Sequence, residues 1–156
     1  MESSFKLTSS AFKQGDHIPP TYSYKGENHS PPLAWSGVPV GTKSFVLIND
    51  DPDAPMGCWT HWVVWNIPGD ATSLAEGVGV KGTKILKETR QGITDFGFAG
   101  YGGPAPPSGE HHYYFKLYAL KDSLKLPSGS GKVKVEAAIK DLIIGKAELM
   151  GLYAAK

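Results

Sequence analysis

Asp51, Asp53, His61, His111 and Tyr113 are the residues of this chain whose types and order could do polar chemistry together. The aspartates belong to Asp50-Asp51-Pro52-Asp53, three carboxylates in four positions, which destabilise one another unless partners or solvent compensate. A histidine follows at position 61, and His111-His112-Tyr113-Tyr114 closes the proline- and glycine-rich stretch 101–109. If Asp51 lies beside His61 and His111, its carboxylate raises the proton affinity of both rings. The two imidazoliums and a tyrosine hydroxyl then offer hydrogen bonds to a phosphate or a carboxylate. Backbone N–H groups of the turn 103–109 add donors, and Pro106 and Pro107, next to Ala105, shape an apolar wall. Each residue also has an ordinary structural reading: a strand histidine satisfied in the core, an aspartate beside proline forming a turn.

Other chemistries fit the same letters less well. Two histidines and two aspartates could ligate a metal, but no pair has the close helical or loop spacing of a metal motif. Cys58 with His61 could act as thiol and base, yet no oxyanion-hole or orienting motif accompanies them, and a lone cysteine more often packs inertly. A Gly-x-Ser-x-Gly elbow is absent. The expectation is a binding protein, neither an enzyme nor the holder of a cofactor.

The elements that must position these residues are mostly strands. Nineteen glycines and twelve prolines punctuate short apolar runs instead of gathering in one linker, the pattern of a β-rich domain with many turns. Alternation predicts strands at 5–9 and 21–24 and a short extended piece at 33–35. The run Phe45-Val46-Leu47-Ile48 within 43–49 predicts a strand covered on both faces. The aromatic run 59–67 predicts a central strand, with Trp62 and Trp65 in the core and Trp59 at a pocket rim. Residues 68–100 are polar and glycine-rich and hold one expected strand at 84–89. The letters Gly77-Val78-Gly79-Val80-Lys81-Gly82 and Asp95-Phe96-Gly97 match nucleotide-enzyme motifs without the required context and are read as loops.

Residues 113–120 predict another central strand. Alternation there puts His111 with Tyr113 on one face and His112 with Tyr114 on the other. Val135, Ile139, Leu142 and Ile143 recur at helical spacing after Ser128-Gly129-Ser130-Gly131, predicting a helix over 133–144 that Gly145 ends, followed by a short closing strand at 148–153. One domain over residues 1–156 is expected, without a repeat or an internal boundary.

A net charge of +1 with dispersed lysines leaves no basic stripe, so nucleic acid is not an expected partner. The first twenty residues hold no continuous apolar run. Neither a secretory signal nor a membrane span is expected, and the single Cys58 fits a reducing compartment, so the protein is expected in the cytoplasm.

Several of these stretches together resemble the phosphatidylethanolamine-binding protein family, also called Raf kinase inhibitor-like proteins. They are Asn28-His29-Ser30-Pro31-Pro32-Leu33-Ala34-Trp35, Asp51-Pro52-Asp53-Ala54-Pro55, His61-Trp62, and Gly-Pro-x-Pro-Pro-x-Gly followed by His-x-Tyr, in the right order between about residues 28 and 120. The short chain looks like the bacterial and archaeal branch. The resemblance implies a β-sandwich of two antiparallel sheets with a Greek-key connection and a peripheral C-terminal helix. It also implies a small anion pocket made by Asp51, with Asp53 in support, His61, Pro107, His111 and Tyr113. Ligands would be phosphorylated head groups or similar anions. A kinase or serine protease is the implied protein partner, reached through loops 51–60 and 101–110, and a homodimer stays open. The family usually has Arg where this chain has His112, which puts an ion pair on the far side of the strand in doubt.

Overall fold

In the computed structural model, residues 4–127 and 129–155 are described; Ser128, of the expected cap 128–131, lies outside the described residues. Alternation places Leu7 of β1 (Lys6–Thr8) and Leu33 and Trp35 of β2 (Leu33–Ser36) on one buried face. The expected strand 21–24 is instead a 3-10 turn, Pro20–Tyr22. Pro19 and Pro20 lack amide donors for a ladder, and the Tyr22 and Ser23 amides close back onto the Pro19 and Pro20 carbonyls.

The run at 45–48 lies in β3 (Ser44–Asp51), buried along its whole length. It pairs antiparallel with β4 (Trp59–Pro68) and β8 (Glu110–Leu120). The short β5 (Ser73–Leu74) completes a small sheet in the order β1-β2-β5. The expected single strand at 84–89 is a hairpin, β6 (Lys84–Leu86) and β7 (Thr89–Gln91), because Lys87 takes a positive φ of 49° and turns the chain. With β9 (Ile143–Ala154) the large sheet runs β6-β7-β4-β3-β8-β9. Strand β8 returns by the long connection 92–109 to lie beside β3, so β8-β3-β4-β7 has the spatial order of a Greek key.

The two sheets enclose one core, with Phe5, Leu33 and Trp35 facing Phe45, Leu47, Trp62, Phe115 and Leu117. The opposite face of the large sheet presents Val46, Ile48, Val63 and Trp65 to α1 (Lys132–Ile139), which covers them with Val135 and Ile139. Burial of each large apolar side chain contributes about 1.5–3 kcal/mol, and covering both faces of β3 explains its unbroken apolar run.

The expected helix 133–144 stops at Ile139. Lys121 donates to the Leu142 carbonyl, and Ile143 already pairs with Leu120 across the sheet. Gly145 is therefore inside a strand, where a Cβ would come within 2.6 Å of Pro39 Cγ. Among the described residues no helix is long and apolar enough to cross a membrane.

Candidate functional site

One end of the large sheet brings the acidic turn, His61 and His111 together. The alternation read from sequence holds along β8: His111 and Tyr113 are buried and His112 is exposed. His111 Nδ1 lies 2.6 Å from Asp51 Oδ2, both side chains almost wholly buried. The other Asp51 oxygen accepts the Asp53 amide at 2.8 Å, an Asx-type bond that fixes the turn after β3.

His61 arrives by a device that alternation does not predict. In the β3–β4 ladder Asn49 pairs with Trp62 and Asp50 with Thr60, so His61 is the extra residue of a β-bulge. It lies edge-on to Tyr113, ring centroids 5.2 Å apart. Its Nδ1–H donates to the Gly102 carbonyl at 2.6 Å, which leaves Nε2 for the cavity.

A strap over residues 101–107 forms the facing wall. The Gly102 amide donates to the His61 carbonyl at 2.9 Å and the Gly103 amide to Asn28 Oδ1 at 2.8 Å. Glycine is required here: a Cβ on Gly103 would meet the Tyr22 carbonyl oxygen at 2.0 Å. The Gly103 N–H is thus engaged within the fold and is not the ligand donor expected of it. Pro106 is likewise turned to a neighbouring groove with Pro104 and Tyr153, so only Pro107 of the expected pair walls the site.

The cavity, open to solvent on one side, measures about 240 Å³ and its wall is mainly apolar. Of the residues singled out from sequence, Asp51, Trp59, His61, Ala105, Pro107, His111 and Tyr113 line it; Asp53 does not. Asp53 sits on the outer side, where its Oδ2 receives the His112 amide at 2.8 Å and faces His112 Nδ1 at 2.7 Å. The hydrogen bonds from His112 hold the Asp53 carboxyl below the usual range. A hydrogen-bonded pair on the far side of β8 therefore exists, with histidine where the family usually has arginine.

Three lining residues were not singled out as site residues: Ala54 and Pro55, read only within the Asp51–Pro55 motif, and Phe96, read only as part of a loop. Phe96 stands edge-on to both Trp59 and His61, at 5.6 and 5.2 Å. Its loop is anchored by the Thr60 amide donating to Asp95 Oδ2 at 2.7 Å. No local pattern marks it, because its role comes from a loop folded across from β4. Asn28 was read only as part of a motif; its side chain holds the strap.

The electrostatics differ from the sequence expectation at His61. Burial lowers the proton affinity of His61, outweighing the Gly102 hydrogen bond and the field of Asp51, so a neutral ring replaces the expected imidazolium. Burial, reinforced by the Asp51 carboxylate, raises the Tyr113 pKa and keeps the hydroxyl protonated. Among the described residues, this hydroxyl and Asp50 Oδ1 are the buried side-chain polar atoms without a hydrogen-bond partner. Cys58 lies elsewhere, its Sγ 3.4 Å from Lys132 Nζ by α1, with its pKa raised by burial and then by Asp50. It does not pair with His61 as thiol and base. Among the described residues no group of three or more His, Cys, Asp or Glu is placed to hold a metal ion.

A family model described as phosphatidylethanolamine-binding protein matches residues 8–154. The chain belongs to the phosphatidylethanolamine-binding protein family. A UPF0098 protein of Methanothermobacter thermautotrophicus is 49% identical over 147 residues, covering 94% of this chain and 97% of its own. The crystal structure of YbcL from Escherichia coli, described as a new member of the mammalian PEBP family, superposes with a TM-score of 0.92 at 40% identity, covering 98% of this chain and 99% of that one. CT736 of Chlamydia trachomatis gives 0.89 at 40% identity, over 99% of this chain and 100% of its own. As a family member the chain has the mostly β, two-sheet fold with one short helix near its C-terminus, in agreement with these solved structures.

Proposed function

We propose that this PEBP-family chain is a non-enzymatic binding protein whose cavity receives a small anion, foremost a phosphomonoester head group of the phosphatidylethanolamine kind and secondarily a carboxylate. The observation that carries the reading is the Tyr113 hydroxyl, buried without a partner in a cavity shared with two histidines. A buried hydroxyl costs about 1–3 kcal/mol while unpaired, and a bound oxyanion relieves that cost.

The proton positions favour one form of the ligand. Tyr113 donates, and His61, neutral with Nδ1–H on Gly102, presents Nε2 as an acceptor. His111, with Nδ1 on Asp51, has Nε2 left for the ligand. A phosphomonoester that keeps one proton supplies both an acceptor for Tyr113 and a donor for His61. In the same proposal the protein works in the cytoplasm, and occupancy of the cavity modulates a kinase or protease that contacts the rim loops 51–60 and 101–110.

Titration of phosphate and phosphoethanolamine, followed by the imidazole NMR signals, tests the reading. The expected result is saturable movement of the His61 and His111 signals; signals that stay in place at millimolar ligand would sink it.

A further inference from the structure

The cavity is not isolated from the outer face of the sheet. His112 grips Asp53 Oδ2 twice, through its amide at 2.8 Å and through Nδ1 at 2.7 Å. The Asp53 amide donates to Asp51 Oδ1 at 2.8 Å, and Asp51 Oδ2 meets His111 Nδ1 at 2.6 Å. One unbroken chain of hydrogen bonds thus runs from an exposed histidine, through a single turn residue, to a cavity wall. Adjacent histidines of β8 hold alternate aspartates of one turn from opposite faces of the sheet, and the same turn supplies Ala54 and Pro55 to the rim.

We propose that His112 is a positioning residue for the cavity: by holding Asp53 from outside, it sets the 51–55 turn and thereby the orientation of Asp51, His111 and the rim. This rests on the anion-binding reading only for its effect on affinity; the positioning itself concerns the free protein.

The surroundings leave Asp53 as the carboxylate that meets the His112 imidazole. On its own strand Glu110 is bonded to His17 at 2.7 Å, and Lys116 is bonded to Asp50 at 3.2 Å. Tyr114 stacks on the His112 ring at 6.5 Å, and across β9 the register partner is the apolar Leu152. From the turn, Asp53 faces it directly, and His111 with Asp51 lies on the inner side. The bond to Asp53 is thus the one hydrogen bond of the His112 ring among the described residues, made through Nδ1 at 2.7 Å.

The experiment compares the wild-type chain with His112→Ala and His112→Arg, the latter carrying a permanent cation. In the free proteins, hydrogen exchange of the Asp53 amide and the NMR signals of the His111 ring are read first. His112→Ala is expected to speed that exchange and move those signals, and His112→Arg to keep the exchange near wild type. An Asp53 amide and a His111 ring unchanged by His112→Ala would overturn the inference, whether or not any anion binds. Phosphate titrations then give affinities, expected about threefold weaker for His112→Ala, as for a half-exposed pair.

His112→Arg, which keeps a donor for Asp53, is expected to bind phosphate within about twofold of wild type. A His112→Arg variant that binds phosphate as weakly as His112→Ala counts against the positioning role. Failure of wild type to bind phosphate would instead overturn the proposed function, leaving the exchange result to decide this inference.

Discussion

Asp50 and Asp51 are neighbours in one strand, both almost wholly buried, and the fold treats them oppositely. Alternation sends Asp50 to the helix side with Val46 and Ile48, and Asp51 to the sandwich side with Phe45 and Leu47. Asp50 meets permanent cations, Lys132 at 2.9 Å and Lys116 at 3.2 Å. Burial opposes the charge of Lys132, but the bond to Asp50 and its field prevail, so its pKa ends above the usual value. Asp51 meets a histidine and the amide of its own turn, at the wall of a cavity. A buried carboxylate with lysines fastens α1 to the sheet, since Lys132 opens that helix. One with a titratable partner beside empty volume keeps a site that can respond to a ligand.

The contrast is open to breaking, most forcefully at Asp50. Asp50→Ala leaves two ammonium groups facing a dry sheet, and denaturant unfolding should show a loss of about 3 kcal/mol, with phosphate affinity of the folded protein unchanged. A loss under about 1 kcal/mol would mean that the lysines simply relax into water.

On the other side of the strand the balance should invert. His111→Gln keeps a donor for Asp51 but removes the imidazole from the cavity. Calorimetry should find phosphate binding about tenfold weaker, the weight of one hydrogen bond to a charged group, with less effect on unfolding than Asp50→Ala. Equal affinity would remove His111 from the site.

Tyr113→Phe sharpens the point, because the two readouts should move apart. Deleting an unpartnered buried hydroxyl should leave stability unchanged or raised by up to about 1 kcal/mol, while affinity falls about fivefold. A destabilised variant would show that the hydroxyl has a partner in the free protein.

The smallest effect concerns acid. The folded proton affinity of His61 lies below its unfolded value, near 6.5, so the unfolded chain binds the extra proton. Its contribution to stability is complete above about pH 6.5 and is lost as pH falls below that value. Thermal melts between about pH 7 and 5 should therefore decline in wild type, with a shallower slope in His61→Gln. Equal slopes would indicate that folding leaves the proton affinity of His61 unchanged.

Much of this arrangement was legible beforehand. Strand β3 announced burial on both faces by its unbroken apolar run, and alternation along β8 put His111 with Tyr113 on one face and His112 with Tyr114 on the other. Both rest on backbone geometry, whose period of two any reader of residues can apply. Only the family resemblance indicated which pair faces inward. The start of β9 was misread because Leu142 and Ile143 continue a helical spacing by coincidence. The alternation of Ala147, Leu149 and Gly151 with Lys146, Glu148 and Met150 was the signal that outranks it.

By itself the sequence determined a β-rich chain, the shared strand face of His111 and Tyr113 and the place of Asp51 at a strand end, since these follow from local periodicity and turn chemistry. The two-sheet arrangement and the inward choice of that face came from its resemblance to a family. Only the tertiary structure decided that a bulge turns His61 into the cavity, that Phe96 closes it from a remote loop, and that Asp53 belongs to His112 outside. It also decided that His61 is neutral, because desolvation depends on what surrounds a ring in space and not on its neighbours along the chain.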